Sequence, residues 1–260
     1  MKTTMRTVEL AAAMVALAVF GLGLPASAQE LVHPATKNEP GQLSVEAALA
    51  KTEIGYGVSV DRSLAGLNLA LGLSPALDLI GSVGLITDTE IATPRVRVSG
   101  LSADDYAGDG MLFAAGVRMK FIENNHVSLF GYGLVRHTTE DFDRTIRYSV
   151  YGVSGRVDQE ASLDTTEVIL GGGLNYAVND RFDVYGSLSL IPISEVSIDE
   201  NTSHDFGGVQ QSGSIGADFD RADLYQARIG AQYDLGRYWV RGDLSLFGEE
   251  TIMVAGGMAF

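Results

Sequence analysis

The chain has 260 residues with 18 Lys and Arg against 33 Asp and Glu, which gives a formal charge of −15. This acidic balance excludes the basic surface that binding to phosphate backbones requires, so we expect no nucleic-acid partner. The absence of Cys excludes disulfides, thiolate metal sites, a Cys nucleophile and a lipoprotein anchor. We expect no metal site and no cofactor.

Residues 1–28 predict a cleavable export signal. Lys2 and Arg6 precede an apolar stretch from Leu10 to Leu24, and the small residues Ala26-Ser27-Ala28 follow as a cleavage site. We expect cleavage after Ala28 and export across the inner membrane of a Gram-negative bacterium. After this signal, no apolar run in the sequence is long enough to predict a membrane-spanning helix.

Residues 29–50 are predicted to form a periplasmic N-terminal tail. Two Pro and no periodicity mark residues 29–41, and residues 43–50 are out of phase with the segments that follow. The barrel described next is therefore expected to occupy residues 51–260.

From residue 51 onwards, apolar residues recur at every second position, which indicates strands with two unlike faces. The segments have about the 9–11 residues that a tilted strand needs to cross a bilayer, and an even strand number is expected. We predict an all-β fold, a transmembrane antiparallel up-and-down β-barrel, with eight strands as the alternative to ten. The ten predicted strands are residues 52–60, 67–73, 77–85, 111–121, 127–137, 166–176, 182–190, 225–233, 238–246 and 252–260.

Two of these segments carry the uncertainty in strand number. In residues 127–137, Val127 and Leu129 lie on one face while Phe130, Tyr132 and Leu134 lie on the other, so its phase is ambiguous. If this segment or residues 52–60 did not cross the membrane, eight strands would fit better.

A water-soluble β-sandwich would also alternate, but the polar face here favours a barrel. It holds Gly, Ser, Asn and charges of both signs, as a narrow lumen with paired Arg and Asp requires. Several apolar faces end in aromatic residues, as an interfacial girdle does. These residues are Tyr56, Phe121, Tyr176, Phe182, Tyr233, Tyr238 and Phe260.

The connections alternate in length, which is typical of outer-membrane barrels with short periplasmic turns and long external loops. Short turns at residues 74–76, 123–125, 179–181 and 234–237 alternate with polar stretches at about 87–109, 138–164 and 193–221. Residues 145–157 have a β-like pattern of their own and are expected to extend a hairpin above the membrane. We interpret the acidic residues of these stretches as a solvated exterior rather than a divalent-cation site.

The last strand places Ile252, Val254, Met258 and the terminal Phe260 on one face. This pattern resembles the C-terminal sorting signal of bacterial outer-membrane β-barrels, and the chain resembles the superfamily of small barrels of this kind, opacity-type and porin-like. The resemblance implies an outer-membrane location among lipid and lipopolysaccharide, and recognition by the barrel-assembly machinery.

Eight charged residues are predicted to face the lumen, and they allow two interpretations. Either they close a narrow barrel as a plug of salt bridges, or they line a narrow porin that passes small solutes or ions. We favour the plug, because ten strands leave little more room than eight. The residues are Asp78, Arg118, Lys120, Glu167, Asp183, Arg228, Arg241 and Asp243.

The favoured function is therefore a surface-exposed structural or interaction protein, adhesin- or opacity-like, with an extracellular partner that the sequence does not identify. An enzymatic alternative is a rim protease, because Asp104-Asp105 and His204-Asp205 resemble the paired residues of the omptin family. Adjacent side chains diverge on an extended strand, however, so we expect no catalytic residues and no enzyme activity.

Overall fold

The computed structural model describes residues 39–55, 59–91, 101–103, 106–124, 126–150, 153–206, 209–219, 224–247 and 249–260. Among these residues no helix is long and apolar enough to cross a membrane. The strands in chain order are β1 Leu43–Gly55, β2 Ser59–Ser74, β3 Leu77–Ile91, β4 Leu101–Ala103, β5 Tyr106–Glu123, β6 Val127–Val150, β7 Val153–Asn179, β8 Phe182–Phe206, β9 Val209–Phe219, β10 Tyr225–Asp234, β11 Tyr238–Phe247 and β12 Glu249–Ala259.

A closed antiparallel barrel of 10 strands dominates the structure. Successive strands pair in chain order, except that β3 pairs with β5 and β8 pairs with β10, because β4 and β9 lie outside the barrel wall. The barrel closes where β12 pairs with β1, from Ser44 opposite Ala259 to Ile54 opposite Glu249. The predicted all-β up-and-down barrel with ten strands is confirmed.

Large apolar side chains cover the outer surface of the barrel. Leu67, Leu69, Leu79, Phe113 and Leu174 are all nearly half exposed. A water-soluble protein does not expose so continuous an apolar band, so this surface faces lipid. The outward faces predicted for β2, β3 and β5 are confirmed.

Aromatic residues collect at the end of the barrel that carries the short turns, which we call the short-turn end. Phe121, Tyr176, Tyr233 and Phe260 are exposed there, while Phe182 and Tyr238 are half-buried. In the predicted sorting strand, Ile252, Val254 and Phe260 are exposed and Met258 is half-buried. The side chain of Tyr56 lies outside the described residues.

The first strand begins earlier than expected. β1 starts at Leu43 and pairs with β12 along its whole length, so residues 43–50 belong to the barrel wall and not to an N-terminal tail. Ala48 and Ala50 point inward, where they pack with Leu64, Leu112 and Met253. Because its inward residues are small, this segment does not resemble the Leu-rich strands in sequence. The same small residues leave room for the larger side chains that crowd this part of the lumen.

β6, β7 and β8 are 24, 27 and 25 residues long, more than twice what the membrane requires. Their outward residues change from apolar to polar after Val135 on β6, before Val168 on β7 and after Ile193 on β8. Beyond these points the strands continue as a sheet that stands above the barrel. We call it the extension sheet; it comprises β4, residues 138–150, 153–165 and 194–206, and β9.

The extension sheet replaces most of the expected loops. Residues 138–150 and 153–164 pair as the two arms of a hairpin, in which Val150 lies opposite Val153, so the strand pairing predicted for residues 145–157 is confirmed. Residues 193–221 contain the paired β8 and β9, and β3 and β5 continue to Ile91 and from Tyr106. The outer face of these segments is exposed and polar, and the inner face mixes buried apolar residues such as Phe142, Leu163 and Val196 with polar ones. Their sequences therefore lack the regular apolar alternation that marks a lipid-facing strand.

The ambiguous segment at residues 127–137 is part of β6. Phe130, Tyr132 and Leu134 point inward and are buried, whereas Leu129 and Val135 are exposed on the lipid face. The lumen therefore contains an apolar cluster, in which these inward side chains contact Ile80, Ile169 and Ile191.

Candidate functional site

Charged and polar side chains fill the lumen near the short-turn end and form a network around Glu46. Oε1 of Glu46 accepts hydrogen bonds from Asn68 at 2.6 Å and from Arg241 at 2.5 Å. Oε2 accepts from Nε of Arg241 at 2.6 Å and from the indole of Trp239 at 3.1 Å. A single buried carboxylate is thus held by donors from β2 and β11.

This network continues across the lumen to β8 and β3. Arg241 donates to Asp243 at 2.5 Å and to the hydroxyl of Tyr185 at 3.4 Å, and Tyr185 in turn donates to Asp243. On the other side, Ser82 donates to Oδ1 of Asn68 at 2.9 Å. The chain of bonds therefore connects five strands, β1, β2, β3, β8 and β11, through the interior.

A second group of ion pairs lies toward the extension sheet. Arg62 on β2 donates to Glu140 on β6, which also accepts a bond from Thr89 at 3.1 Å, and all three side chains are buried. Because β3 and β5 separate β2 from β6 in the wall, the Arg62–Glu140 pair crosses the interior.

Two further pairs join neighbouring strands. Arg136 on β6 donates to Glu167 on β7, which also accepts from Ser194 at 3.2 Å. Arg118 on β5 donates through Nε to Asp78 on β3 at 2.9 Å. These pairs are buried in the lumen, where an unpaired charge would be costly.

The structure places the predicted lumen charges unevenly. Asp78, Arg118, Glu167, Arg228, Arg241 and Asp243 are buried inside the barrel. Lys120 lies at the short-turn end, where it pairs with Glu123 at 2.6 Å and is partly exposed. Asp183 is half-buried and accepts a bond from Asn175 at 3.4 Å.

Sequence analysis missed four charged residues of these networks, namely Glu46, Arg62, Arg136 and Glu140. Glu46 lies in the segment interpreted as a tail, and Glu140 lies in a stretch interpreted as a loop. Arg136 follows Val135 in the strand of ambiguous phase, so its inward direction could not be assigned. The alternation of residues 60–66 gives a signal for Arg62, since it shares a face with Leu64, Gly66 and Asn68.

Inward aromatic rings lie over glycines of the next strand. Tyr132 lies opposite Gly171, and a Cβ on that glycine would collide with the ring. Trp239 is related in the same way to Gly257. The pairs Phe130 with Gly173 and Tyr185 with Gly230 repeat the arrangement. The glycines of the lumen face thus give the large rings room to lie along the wall.

One side of the lumen holds buried polar atoms that have no hydrogen-bond partner among the described residues. They are Oδ1 of Asn175 on β7, Oγ of Ser187 on β8, and Nε2 of Gln226 and Oε1 of Gln232 on β10. Buried polar groups of this kind usually bind ordered water. The wall formed by β7, β8 and β10 is therefore suited to hold ordered water.

The outer face of the extension sheet is acidic and carries a polar groove. The groove has a volume of about 340 Å³ and crosses β7, β8 and β9, where it is lined by Asp158, Glu160, Asn201, Thr202, Ser203, Ser212, Gly213 and Ser214. Exposed acidic residues of the same face are Asp141, Asp143, Asp164, Glu195, Asp199, Asp205 and Asp218.

Asp158 in this face has a pKa below the ordinary value for an Asp. The guanidinium of Arg156 donates a hydrogen bond to it at 2.6 Å, and the hydroxyl of Thr145 donates one at 2.8 Å. Both bonds favour the ionised carboxylate.

The residue pairs considered for a rim protease are only partly described. Asp104 and Asp105 lie outside the described residues, as does the side chain of His204. The backbone of His204 pairs with Val157 and Gln211, and Asp205 is exposed on the extension sheet. In the described part of the chain, no group of three or more His, Asp or Glu side chains could hold a metal ion.

The closed ten-stranded barrel has an outer apolar band and a lumen filled with side chains. This is the architecture of an outer-membrane β-barrel. No protein-family model matches the chain, and no curated protein matches it. Among solved structures it is similar to the outer membrane protease OmpT from Escherichia coli, with a TM-score of 0.52, 10% identity, and coverage of 87% of this chain and 99% of that one. At this identity the likeness shows the fold alone.

Other outer-membrane barrels match more distantly. The COG4313 outer membrane channel from Pseudomonas putida F1 gives a TM-score of 0.41 at 12% identity, covering 90% of this chain and 100% of that one. The attachment invasion locus protein Ail of Yersinia pestis gives 0.35 at 16% identity, covering 85% and 99%. Neither match bears on the function of this chain.

Proposed function

We propose that the protein is a closed barrel of the bacterial outer membrane that presents the extension sheet at the cell surface as an interaction surface. Its role is structural or adhesive, and it is not an enzyme. The observation that carries this proposal is the Arg62–Glu140 pair, which crosses a lumen already occupied by the network around Glu46. The length of β6, β7 and β8 beyond the apolar band supports the surface role.

Conductance in planar bilayers tests the closed lumen. We expect the wild-type protein to insert without stable current steps. As a matched comparison, the double variant Arg62→Ser with Glu140→Ser removes the pair that crosses the lumen, and we expect brief small currents from it. Stable single-channel steps from the wild-type protein would contradict a closed barrel.

The proposal includes the route to the membrane. We propose that residues 1–28 are removed after Ala28, that lipid and lipopolysaccharide surround the apolar band, and that the barrel-assembly machinery recognises the C-terminal strand. N-terminal sequencing of the protein from isolated outer membranes tests the cleavage, with Gln29 expected first. A mature chain that begins elsewhere would show that the cleavage site is wrong.

The second candidate function is a narrow porin that passes small solutes or ions. It is favoured by the buried polar atoms on β7, β8 and β10 that have no hydrogen-bond partner among the described residues. Swelling of proteoliposomes in small polyols measures it, with protein-free liposomes as control. Swelling that exceeds the control would support the porin and contradict the closed barrel.

A further inference from the structure

β9 forms one edge of the extension sheet. Among the described residues it pairs with β8 alone, from Val196 opposite Phe219 to Phe206 opposite Val209. The backbone N–H and C=O groups on its other side therefore face outward along 11 residues. Such an edge is a template for pairing with a further strand.

The side chains of β9 that the structure describes are exposed on both faces of the strand. Ser212, Gly213, Ser214, Gly216 and Asp218 are exposed, and the side chain of Ile215 is 71% exposed. Where its side chains are described, β9 buries little surface, and its backbone is paired with β8. Adding a strand on the free side would convert it from an edge into an interior strand.

The sequence of β9 lacks the features that usually protect a sheet edge. Its residues VQQSGSIGADF include no Lys, no Pro and one charged residue, Asp218. Natural edge strands commonly carry inward charges, Pro or bulges that prevent pairing with other chains. The β8–β9 ladder runs without a bulge. The edge is therefore open to an incoming strand.

The two faces of β9 specify what an incoming strand should carry. On the outer face, Ser212 lies in one row with Ser203 and Asp158, and Ser214 lies in one row with Asn201 and Glu160. These small side chains leave the acidic groove open to a long basic side chain that reaches over β9 from a strand about 4.8 Å away.

The opposite face offers an apolar contact. Ile215 lies opposite Glu200 on β8. Val196, four residues before Glu200 and so on the same face, is 2% exposed, which identifies this face as the inner one. An apolar residue of an added strand would cover Ile215. Alternate residues of the partner should thus be basic and apolar.

We propose that the free edge of β9 binds an extended peptide segment of another protein, with alternating basic and apolar residues, as an added β-strand. This proposal rests on the proposed surface role and names the class of partner. A second copy of this chain fits less well, because Asp218 and the acidic outer faces of two copies would meet as like charges.

Synthetic peptides test the proposal on the full-length protein in detergent micelles. The probe is a fluorescent peptide of about ten residues that alternates Lys and Val, and binding is followed by anisotropy. Two further peptides of the same sequence are N-methylated on one or the other set of alternate residues. Because only one set of N–H groups faces β9, we expect one of these peptides to bind at least about tenfold more weakly and the other to bind normally.

Variants of the protein locate the site. Ile215→Lys removes the apolar contact and repels basic residues, and we expect affinity to fall at least about tenfold. Asp143→Asn, on β6 of the same sheet, makes the same change in net charge far from the edge, and we expect less than about a twofold effect. Equal effects of the two variants, or equal binding of the two N-methylated peptides, would overturn the proposal.

The remaining outcomes separate this proposal from the proposed function. Absence of peptide binding by a barrel that stays silent in bilayers overturns the docking site and leaves the closed surface barrel standing. Peptide binding by a conducting barrel supports the docking site and contradicts the closed lumen. A dimer in sedimentation experiments that dissociates in Ile215→Lys and excludes the peptide would assign the edge to a second copy and overturn the peptide proposal.

Discussion

The indole of Trp239 occupies the space beside Gly257 where a Cβ would lie, and the two residues are directly opposite each other on β11 and β12. From this position the ring N–H reaches Oε2 of Glu46 at 3.1 Å, past β12 to β1. Gly257 is thus the reason that the side chain can lie against the wall and still join the lumen network.

We expect Gly257→Ala to displace Trp239 and lower the free energy of unfolding by about 1–3 kcal/mol, the usual cost of overpacking. Trp239 is the single Trp in the chain, so its fluorescence reports the displacement directly. Gly242→Ala is the matched control, because its Cβ would meet the carbonyl oxygen of Met253 at an ordinary 3.7 Å. An unchanged emission spectrum in Gly257→Ala would contradict this packing.

Removing the carboxylate of Glu140 should take away the group to which the buried Arg62 donates across the lumen. We expect Glu140→Ala to lower the free energy of unfolding by about 3–5 kcal/mol, measured by urea unfolding of protein refolded into vesicles. Replacing both residues by Met should restore most of this loss, because neither charge is then buried. A double variant less stable than Glu140→Ala would show that the pair itself contributes net stability.

The pKa of Asp158 should depend on Arg156. In Arg156→Gln we expect this pKa to rise towards the ordinary Asp value, as measured by carbon NMR of the carboxyl group. Because the pKa is depressed in the folded state, the stabilisation is present above the ordinary Asp pKa and is lost as the pH falls through the lowered value. Arg147→Gln should shift the pKa less, since Arg147 acts only through its more distant charge.

The side chain of Phe260 should matter for assembly more than for stability. It is 67% exposed, and the residue's backbone N–H donates to the carbonyl of Leu43 at 2.8 Å, a bond that Phe260→Ala retains. We expect the variant to reach the outer membrane in reduced amount but, once refolded in detergent, to show an unchanged heat-modifiable gel shift. Leu246→Ala, an exposed apolar residue on β11, is the control. Equal loss in both variants would contradict a specific signal.

The lipid-facing half of the barrel could be predicted because the bilayer imposes a simple rule on it. Every outward residue of Leu67–Leu73 or of Met111–Phe121 must be compatible with hydrocarbon. Alternation alone therefore identifies each strand and shows which of its faces points towards lipid. Asp78 and Arg118 were both predicted to face the lumen, and the structure pairs them because they lie opposite each other on β3 and β5.

The lumen contacts between distant strands could not be predicted in this way. Arg62 meets Glu140 only because the stagger of the strands brings β2 and β6 to one level, and stagger is a property of the whole ring. The extension sheet was hidden for another reason. The outward residues of its strands, such as Glu160 and Asn201, are exposed to water and polar, so these strands show no outward apolar alternation. The strands are joined by a ladder of backbone hydrogen bonds.

The junction of β1 and β12 joins the first and last strands of the chain, and Glu46 lies on it. The donors Trp239 and Arg241 come from β11, near the C-terminal end of the sequence. The carboxylate of Glu46 can therefore accept their hydrogen bonds only after the C-terminal strands have joined the barrel. Ring closure and neutralisation of the buried acid are consequently one event. A chain that lacks its last two strands therefore has both an open seam beside β1 and a Glu46 carboxylate without its donors Trp239 and Arg241.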